Sequence, residues 1–275
     1  MTLSPRQENA KNNGKIYTSR LQKGGAVLDD MRFLVRSWND EAPWDEQRQR
    51  MILENVLGKK TRSRALDVYQ DLFLPRFLKG NPESAWKIVR LLEDRNLPVE
   101  ILRPVYYWIT ARSEPLLYDF VLDEIVPRSK GHDISVRMDE TIGWIRRKLS
   151  EVGRFWSDAV ILRVAQGLLA ALRDFGLLEG SSKKRIAPVY LPVEAFSYIA
   201  FLLYDLGSSG ESLIVHPDWR LFLMSPPVVE RLFLDAHQNK LLTYQAAGKI
   251  HRIEFYANNL EEMANVISGR TVKNP

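Results

Sequence analysis

The sequence predicts a mainly α protein, a compact multi-helix globular fold with helix-turn-helix or winged-helix-like units and at most a small β-hairpin. Three observations lead there. Apolar residues recur at three-or-four spacing through most segments between the Gly and Pro breaks. β-prone sequence is confined to a short stretch at 185–191 and a candidate hairpin at 241–255. Finally, 275 residues at 45% hydrophobic content bury a sizeable core, in one large domain or two small ones. No internal repeat of fixed period and no low-complexity tract interrupts the pattern.

Residues 1–14 are polar and offer little apolar surface to offset the entropy of ordering, so they are read as a disordered N-terminus. Val27, Leu28, Met31, Phe33, Leu34, Val35 and Trp38 place a helix at 25–38, and a second is expected at 44–57. In the third, Ala65, Val68, Tyr69, Leu72, Phe73 and Phe77 share one face, leaving Ser63, Arg64, Asp67 and Gln70 on the other. Gly58 can supply the positive φ that ends the helix before it, and Thr61 or Ser63 can cap its free N–H groups. Asn81-Pro82-Glu83 reads as a turn, followed by helices at 85–92 and 101–112 broken by Pro98 and Pro104, and one more at 115–126.

The polar run from Pro127 to His132 carries both Pro and Gly and reads as a linker. It divides an N-terminal helical domain with a helix-turn-helix (15–130) from a C-terminal helical domain with a winged-helix-like unit (131–275). Helices are expected at 138–150 and 157–174, with Gly176 ending the second. The Gly180, Ser181, Ser182 loop follows, and Pro188 prevents regular pairing in the β-prone stretch after it. Helix, helix and basic loop is the order of a winged helix, and equally of a helical bundle with an ordinary loop. An apolar helix at 193–206, an N-cap at Ser225 with Pro226 at the first helical position, a hairpin around Ala247-Gly248 and a helix at 259–267 complete the chain.

Thirty-nine Lys and Arg against 34 Asp and Glu give a net charge of +5, which favours an anionic partner without proving one. The absence of cysteine excludes disulfides, Cys-ligated metal centres and thiol nucleophiles. The first 24 residues lack the apolar run of a secretory signal. The most apolar stretch, 159–178, is interrupted by Arg163, Gln166, Arg173 and Asp174, and charges are costly at mid-bilayer depth. A cytoplasmic protein without a membrane partner is expected.

Three basic clusters are candidate DNA contacts. Lys59, Lys60, Arg62 and Arg64 precede or open the third helix with no acid among them. At a helix start, cations and unpaired N–H groups meet phosphates together, and an outward Arg64 can reach a base edge. The competing reading is a solvated helix entrance with Arg64 paired to Asp67, worth about 0.2–0.5 kcal/mol. The second cluster joins Arg146, Arg147 and Lys148 to Arg163, Gln166, Gly167, Ala170 and Arg173, which lie opposite a buried face of Ile161, Val164, Ala165, Leu168 and Leu172. Small residues beside Arg163 let either a phosphate backbone or a neighbouring helix approach closely. The third is Lys183, Lys184 and Arg185, a basic loop that either follows a phosphate backbone or remains solvated. If the clusters together neutralise roughly six to eight phosphates, log affinity falls against log salt with a slope of about −5 to −7.

Catalysis finds little to work with. His132, His216, His237 and His251 are scattered without metal-ligand spacing. Residues 176–184 resemble a phosphate loop only superficially, since they follow a helix and lack the G-x-x-x-x-G-K-[ST] order. Pro217-Asp218 lacks the acid-x-Lys pair of a nuclease, and Asp218 reads as a turn residue. Asp29-Asp30, Asp123-Glu124 and Glu261-Glu262 are adjacent pairs that diverge on a helix, as surface charge does. No enzymatic activity, metal or cofactor is expected. Tyr106, Tyr107, Trp108 and Phe120 lie in apolar helical patterns and read as core, and Phe155 with Trp156 as a hydrophobic staple ahead of the long helix.

Three motifs, YTSRLQKGGAVL at 17–28, ENVLGKKTRSRA at 54–65 and GLLAALRDFGLL at 167–178, in this order and spacing resemble the BrxA family of bacteriophage-exclusion (BREX) systems, across about residues 15–255. The resemblance implies an α-helical accessory protein that binds double-stranded DNA in a phage-defence island. It is a family sometimes labelled inner-membrane, which the charges within the apolar stretches oppose here. Partners among other BREX components, such as the methyltransferase, are also implied. The alternatives are a protein-interaction scaffold within that complex, an RNA-binding subunit and, last, a metal-dependent nuclease.

Overall fold

The computed structural model describes residues 16–248 and 250–271; the N-terminus expected to be disordered lies outside the described residues. Helices α1 (Leu28–Ser37) and α2 (Trp44–Leu53) lead into α3, which starts as an α-helix over Arg62–Leu66 and widens into a π-helical stretch over Asp67–Leu78. The stretch contains Pro75, whose ring would clash with the carbonyl four residues back in a regular α-helix. Ala65, Val68, Tyr69, Leu72, Phe73 and Phe77 are all buried, as their spacing predicts. Thr61 caps α3 by accepting the Arg64 N–H at 3.1 Å.

The helix expected at 44–57 is shorter, since α2 ends at Leu53. The cause is Asn55. Its φ of 45° leaves the helical region, and its side chain both donates to the Lys59 carbonyl and accepts the Lys59 N–H at 2.9 Å.

α4 (Ala85–Glu93) and α5 (Val99–Ser113) follow. Pro98 stands at the N-cap of α5, but Pro104 does not break that helix. A proline forfeits one backbone bond there, while Val105 to Ala111 behind it are buried, and that packing outweighs the loss. α6 runs through Pro115–Phe120, Val121–Ile125 and Val126–Arg128. Tyr106, Tyr107, Trp108 and Phe120 are core residues as expected.

Next come β1 (Ser135–Val136), α7 (Met138–Glu151), α8 (Asp158–Asp174), β2 (Leu178–Glu179) and β3 (Lys184–Ile186). Their antiparallel sheet has the order β1-β3-β2, so Arg185 faces Ser135 on one side and Glu179 on the other. The chain continues through α9 (Val193–Asp205), α10 (Glu211–Ile214), a 3-10 turn at Pro217–Phe222 and α11 (Pro226–Gln238), which starts on Pro226 as predicted. The expected hairpin forms from β4 (Leu242–Ala247) and β5 (Ile250–Phe255), registered from Leu242 opposite Phe255 to Ala247 opposite Ile250. α12 (Leu260–Thr271) packs on α9 and returns to the N-terminal helices, where Arg95 donates to Asn265 Oδ1 at 2.6 and 2.8 Å. The buried apolar residues form one cluster from Tyr17 to Ile267, on both sides of residue 130.

Two carboxylates organise polar networks inside this core. Glu93 is buried and accepts from Arg32 and Arg36, each at 2.7 Å, and from the Tyr106 hydroxyl at 3.0 Å. Burial and this carboxylate push the Tyr106 pKa well above the ordinary range. Asp218 is no simple turn residue, contrary to the sequence reading. It is buried and accepts from Trp108 Nε1 at 2.8 Å, Arg112 at 2.6 Å and the Tyr118 hydroxyl at 2.9 Å. Its partners lie about a hundred residues upstream, beyond any local pattern.

His216 beside it is a titrating element. Burial lowers its pKa, with Arg112 adding to the effect and Asp218 opposing it. The ring Nδ1 accepts the Asp218 N–H at 3.2 Å, which requires the neutral form. The folded protein therefore binds this proton less well than the unfolded chain. The contribution of His216 is intact above its ordinary pKa of 6.5 and is lost as pH falls from there through the lower folded value. Urea midpoints of the wild type should drop between about pH 7 and pH 5 more steeply than those of His216→Asn. Parallel curves would show that this histidine is not linked to folding.

Candidate nucleic-acid interface

The first basic cluster divides on folding. Lys60 and Arg62 are exposed and make no ion pair among the described residues. Lys59 reaches back to Asp30 at 2.6 Å. Arg64 turns inward and donates to the Lys23 carbonyl, and Asp67, its expected partner, holds the Lys23 ammonium at 2.9 Å instead. That bond raises the Lys23 pKa.

Arg64 thereby holds a strap made by residues 17–27. Tyr17 donates to Asp119 at 2.7 Å and its carbonyl accepts from Arg154 at 2.6 Å. Arg20, in a 3-10 turn over Arg20–Lys23, donates to the Ser113 carbonyl at 3.3 Å, and Arg76 to the Gly25 carbonyl at 2.9 Å. Its glycines are closely packed. A Cβ at Gly24 would lie 3.0 Å from Leu72, and one at Gly25 2.8 Å from the Ala171 nitrogen. A Cβ on Gly167 of α8 would lie 1.8 Å from the Leu21 carbonyl oxygen. Of the two uses open to the small residues beside Arg163, close approach of another element is realised at Gly167. The motif at 17–28 contains this doubled glycine, but its packing role is not readable from the sequence.

α8 is set by Ser157, whose side chain accepts the Val160 N–H at 3.4 Å. Its inner face, Ile161, Val164, Ala165, Leu168, Leu169, Ala171 and Leu172, is buried. Ala159, Leu162, Arg163 and Gln166 form an exposed stripe at successive helical spacings. Arg163 donates only to the Ala159 carbonyl of its own helix, at 3.2 Å. Ahead of the helix, Phe155 does not act as a staple: it is 90% exposed, and only Trp156 packs against the core. Gly153, at φ 65°, turns the chain, and the bond from Arg154 to Tyr17 leaves Phe155 outside.

Folding neutralises the cluster at 146–148. Arg146 pairs with Asp158 at 2.8 Å, Arg147 with Glu124 at 3.3 Å, and Lys148 with Asp123 at 3.0 Å and Glu151 at 3.2 Å. Asp30, Asp123 and Glu124, read from sequence as ordinary surface charge, are thus partners of the candidate cations. Arg173 pairs with Asp174 at 2.8 Å. In the third cluster Arg185 pairs with Glu179 at 2.5 Å and Lys184 donates to the Ser181 carbonyl at 2.7 Å. Lys183 is exposed and unpaired among the described residues. Gly180 shapes this loop: its φ is 89°, and a Cβ there would lie 2.1 Å from the Lys183 carbonyl oxygen. Exposed ion pairs are worth only about 0–1 kcal/mol, so Arg147, Arg173 and Arg185 can exchange a carboxylate for a phosphate at small cost.

These features define a mainly helical protein that carries a strand, two helices and a β-hairpin around an exposed helix stripe and a basic loop. Residues 15–202 match the BrxA family. The chain belongs to that family and so to the proteins associated with BREX phage defence. The match takes in all three motifs singled out above, and folding brings them together, since the strap at 17–27 touches both the start of α3 and the small-residue side of α8. The fold is similar to the crystal structure of an uncharacterized protein from Magnetospirillum magneticum, with TM-score 0.53 and 17% identity, covering 69% of this chain and 94% of that one. No curated protein matches. Among the described residues no helix is long and apolar enough to cross a membrane.

Proposed function

We propose that this chain is a non-catalytic accessory protein of a BREX system that binds double-stranded DNA in the cytoplasm. On this reading the unit from β1 to β3 is a winged helix, with α8 presented to the major groove and the 180–183 loop as the wing. The observation that carries the reading is the order β1, α7, α8, β2, β3 with β3 central in the sheet, combined with an outward stripe on α8 that contains Arg163 and Gln166. Lys60, Arg62, Arg163, Lys183 and Lys184 are the primary phosphate or base contacts, because no carboxylate competes for them among the described residues. Arg147, Arg173 and Arg185 contribute by partner exchange, whereas Arg146 stays on Asp158. Lys59, Arg64 and Lys148 are held by internal partners and contribute least.

About four to six neutralised phosphates correspond to a salt slope near −4 to −5, shallower than the charges alone suggest. The test is duplex binding by fluorescence anisotropy across a salt series. Replacing Arg163, Lys183 and Lys184 by Ala should flatten the slope by about 0.9 for each phosphate contact removed, with unchanged thermal stability. An unaltered slope in that folded variant removes the winged-helix reading, and competition by structured RNA at equal strength moves it to RNA.

A second reading draws on the neutralised cluster at 146–148. Exposed ion pairs of mixed sign suit a protein surface, and there the chain would be a scaffold for other BREX components, the methyltransferase among them. Capture of such a component that persists in nuclease and high salt distinguishes this reading.

A further inference from the structure

Among the described residues no large apolar side chain is more exposed than Phe155, at 90%. It stands just before Ser157, the N-cap of α8, and Leu162, 41% exposed, follows on the outward stripe together with Ala159. This end of the helix therefore offers water an aromatic ring, an isobutyl group and a methyl, flanked by Arg163 and Gln166. We infer that Phe155 and Leu162 are specificity-determining residues that pack against C5 methyl groups in the major groove, so that this protein reads thymine.

The inference rests on the winged-helix reading and narrows it. The N-terminal residues of a recognition helix face base edges. Among the edges in the major groove, the thymine methyl is the apolar group, and side chains that meet it are themselves apolar. Its partner adenine presents N6 and N7 to a bidentate amide, the role open to Gln166 on the same stripe. Charge does not oppose the approach. Asp158, the acid in the first turn, is tied to Arg146 at 2.8 Å, and Arg163 has no carboxylate partner among the described residues.

The test compares an alternating A·T duplex with the same duplex carrying uracil for thymine, which deletes the methyl and keeps every hydrogen-bonding group. Wild type should bind the thymine duplex about threefold tighter or more, the value of one buried methyl. Phe155→Ala/Leu162→Ala should bind both duplexes alike and keep the wild-type salt slope; its fold, checked by circular dichroism, is not at risk because both side chains are exposed. An alternating G·C duplex should gain a similar factor on C5 methylation of cytosine. Equal wild-type affinity for the thymine and uracil duplexes overturns this inference and leaves DNA binding standing. Thymine preference undiminished in the double variant overturns the assignment to these residues. Failure of wild type to bind any duplex at low salt overturns the DNA-binding reading and this one with it.

Discussion

Arg76→Ala should destabilise the protein by about 3–5 kcal/mol, the cost of removing one member of a buried ion pair. The Arg76 and Glu114 side chains are 0% and 1% exposed and meet at 3.0 Å. Burial pulls the Arg76 pKa down and Glu114 opposes that; a guanidinium nonetheless stays charged in proteins. Arg76 also donates to the Gly25 carbonyl at 2.9 Å, so one side chain ties the π-helical part of α3 to the junction of α5 and α6 and to the strap. Its removal leaves the Glu114 carboxylate in the core, with Arg20 at 3.6 Å as the remaining cation. The double variant Arg76→Met/Glu114→Gln should lose markedly less than Arg76→Ala, because no charge is orphaned. Urea unfolding followed by circular dichroism separates the two, and a single variant within about 1 kcal/mol of wild type would show that the pair does not organise this junction.

Gly167→Ala should cost about 3 kcal/mol, at the upper end of overpacking penalties. The added methyl would sit 1.8 Å from the Leu21 carbonyl oxygen, so either α8 or the strap must move. Gly143 on α7 is the matched control: a Cβ there meets nothing within 4 Å, and Gly143→Ala should be neutral or stabilise by up to about 1 kcal/mol. Displacement of the strap has its own readout, since Arg20 and Lys23 would become accessible to limited trypsin cleavage. Similar melting temperatures for the two variants, with no new cleavage, would refute the packing of residues 17–25 across α8.

Most of the helices were legible because their information is local. The buried faces of α3 and α8, the Thr61 cap, the start of α11 at Pro226 and the 242–255 hairpin all rest on spacing, side-chain caps or turn residues within a few positions. Local rules failed where distant packing competed with them. Pro104 stays helical because the residues behind it are buried, and α2 stops early because the Asn55 side chain closes onto Lys59. The candidate site was legible only in part. Residue type and outward spacing indicate that Arg163 and Lys183 are exposed, but no pattern indicates that Lys59 folds onto Asp30, that Arg64 faces the strap, or that Asp123, Glu124 and Asp158 collect Lys148, Arg147 and Arg146.

By itself the sequence determined the helical class, the inner and outer faces of its helices and the family to which the chain belongs, because periodicity and motif order are properties of neighbouring residues. Tertiary structure alone decided which cations remain free, why Gly25 and Gly167 must be glycine, and that Asp218 anchors a buried network. Each of those depends on atoms brought within 4 Å from tens or hundreds of residues away, and the energy of a charge or of an added methyl is set by what it touches.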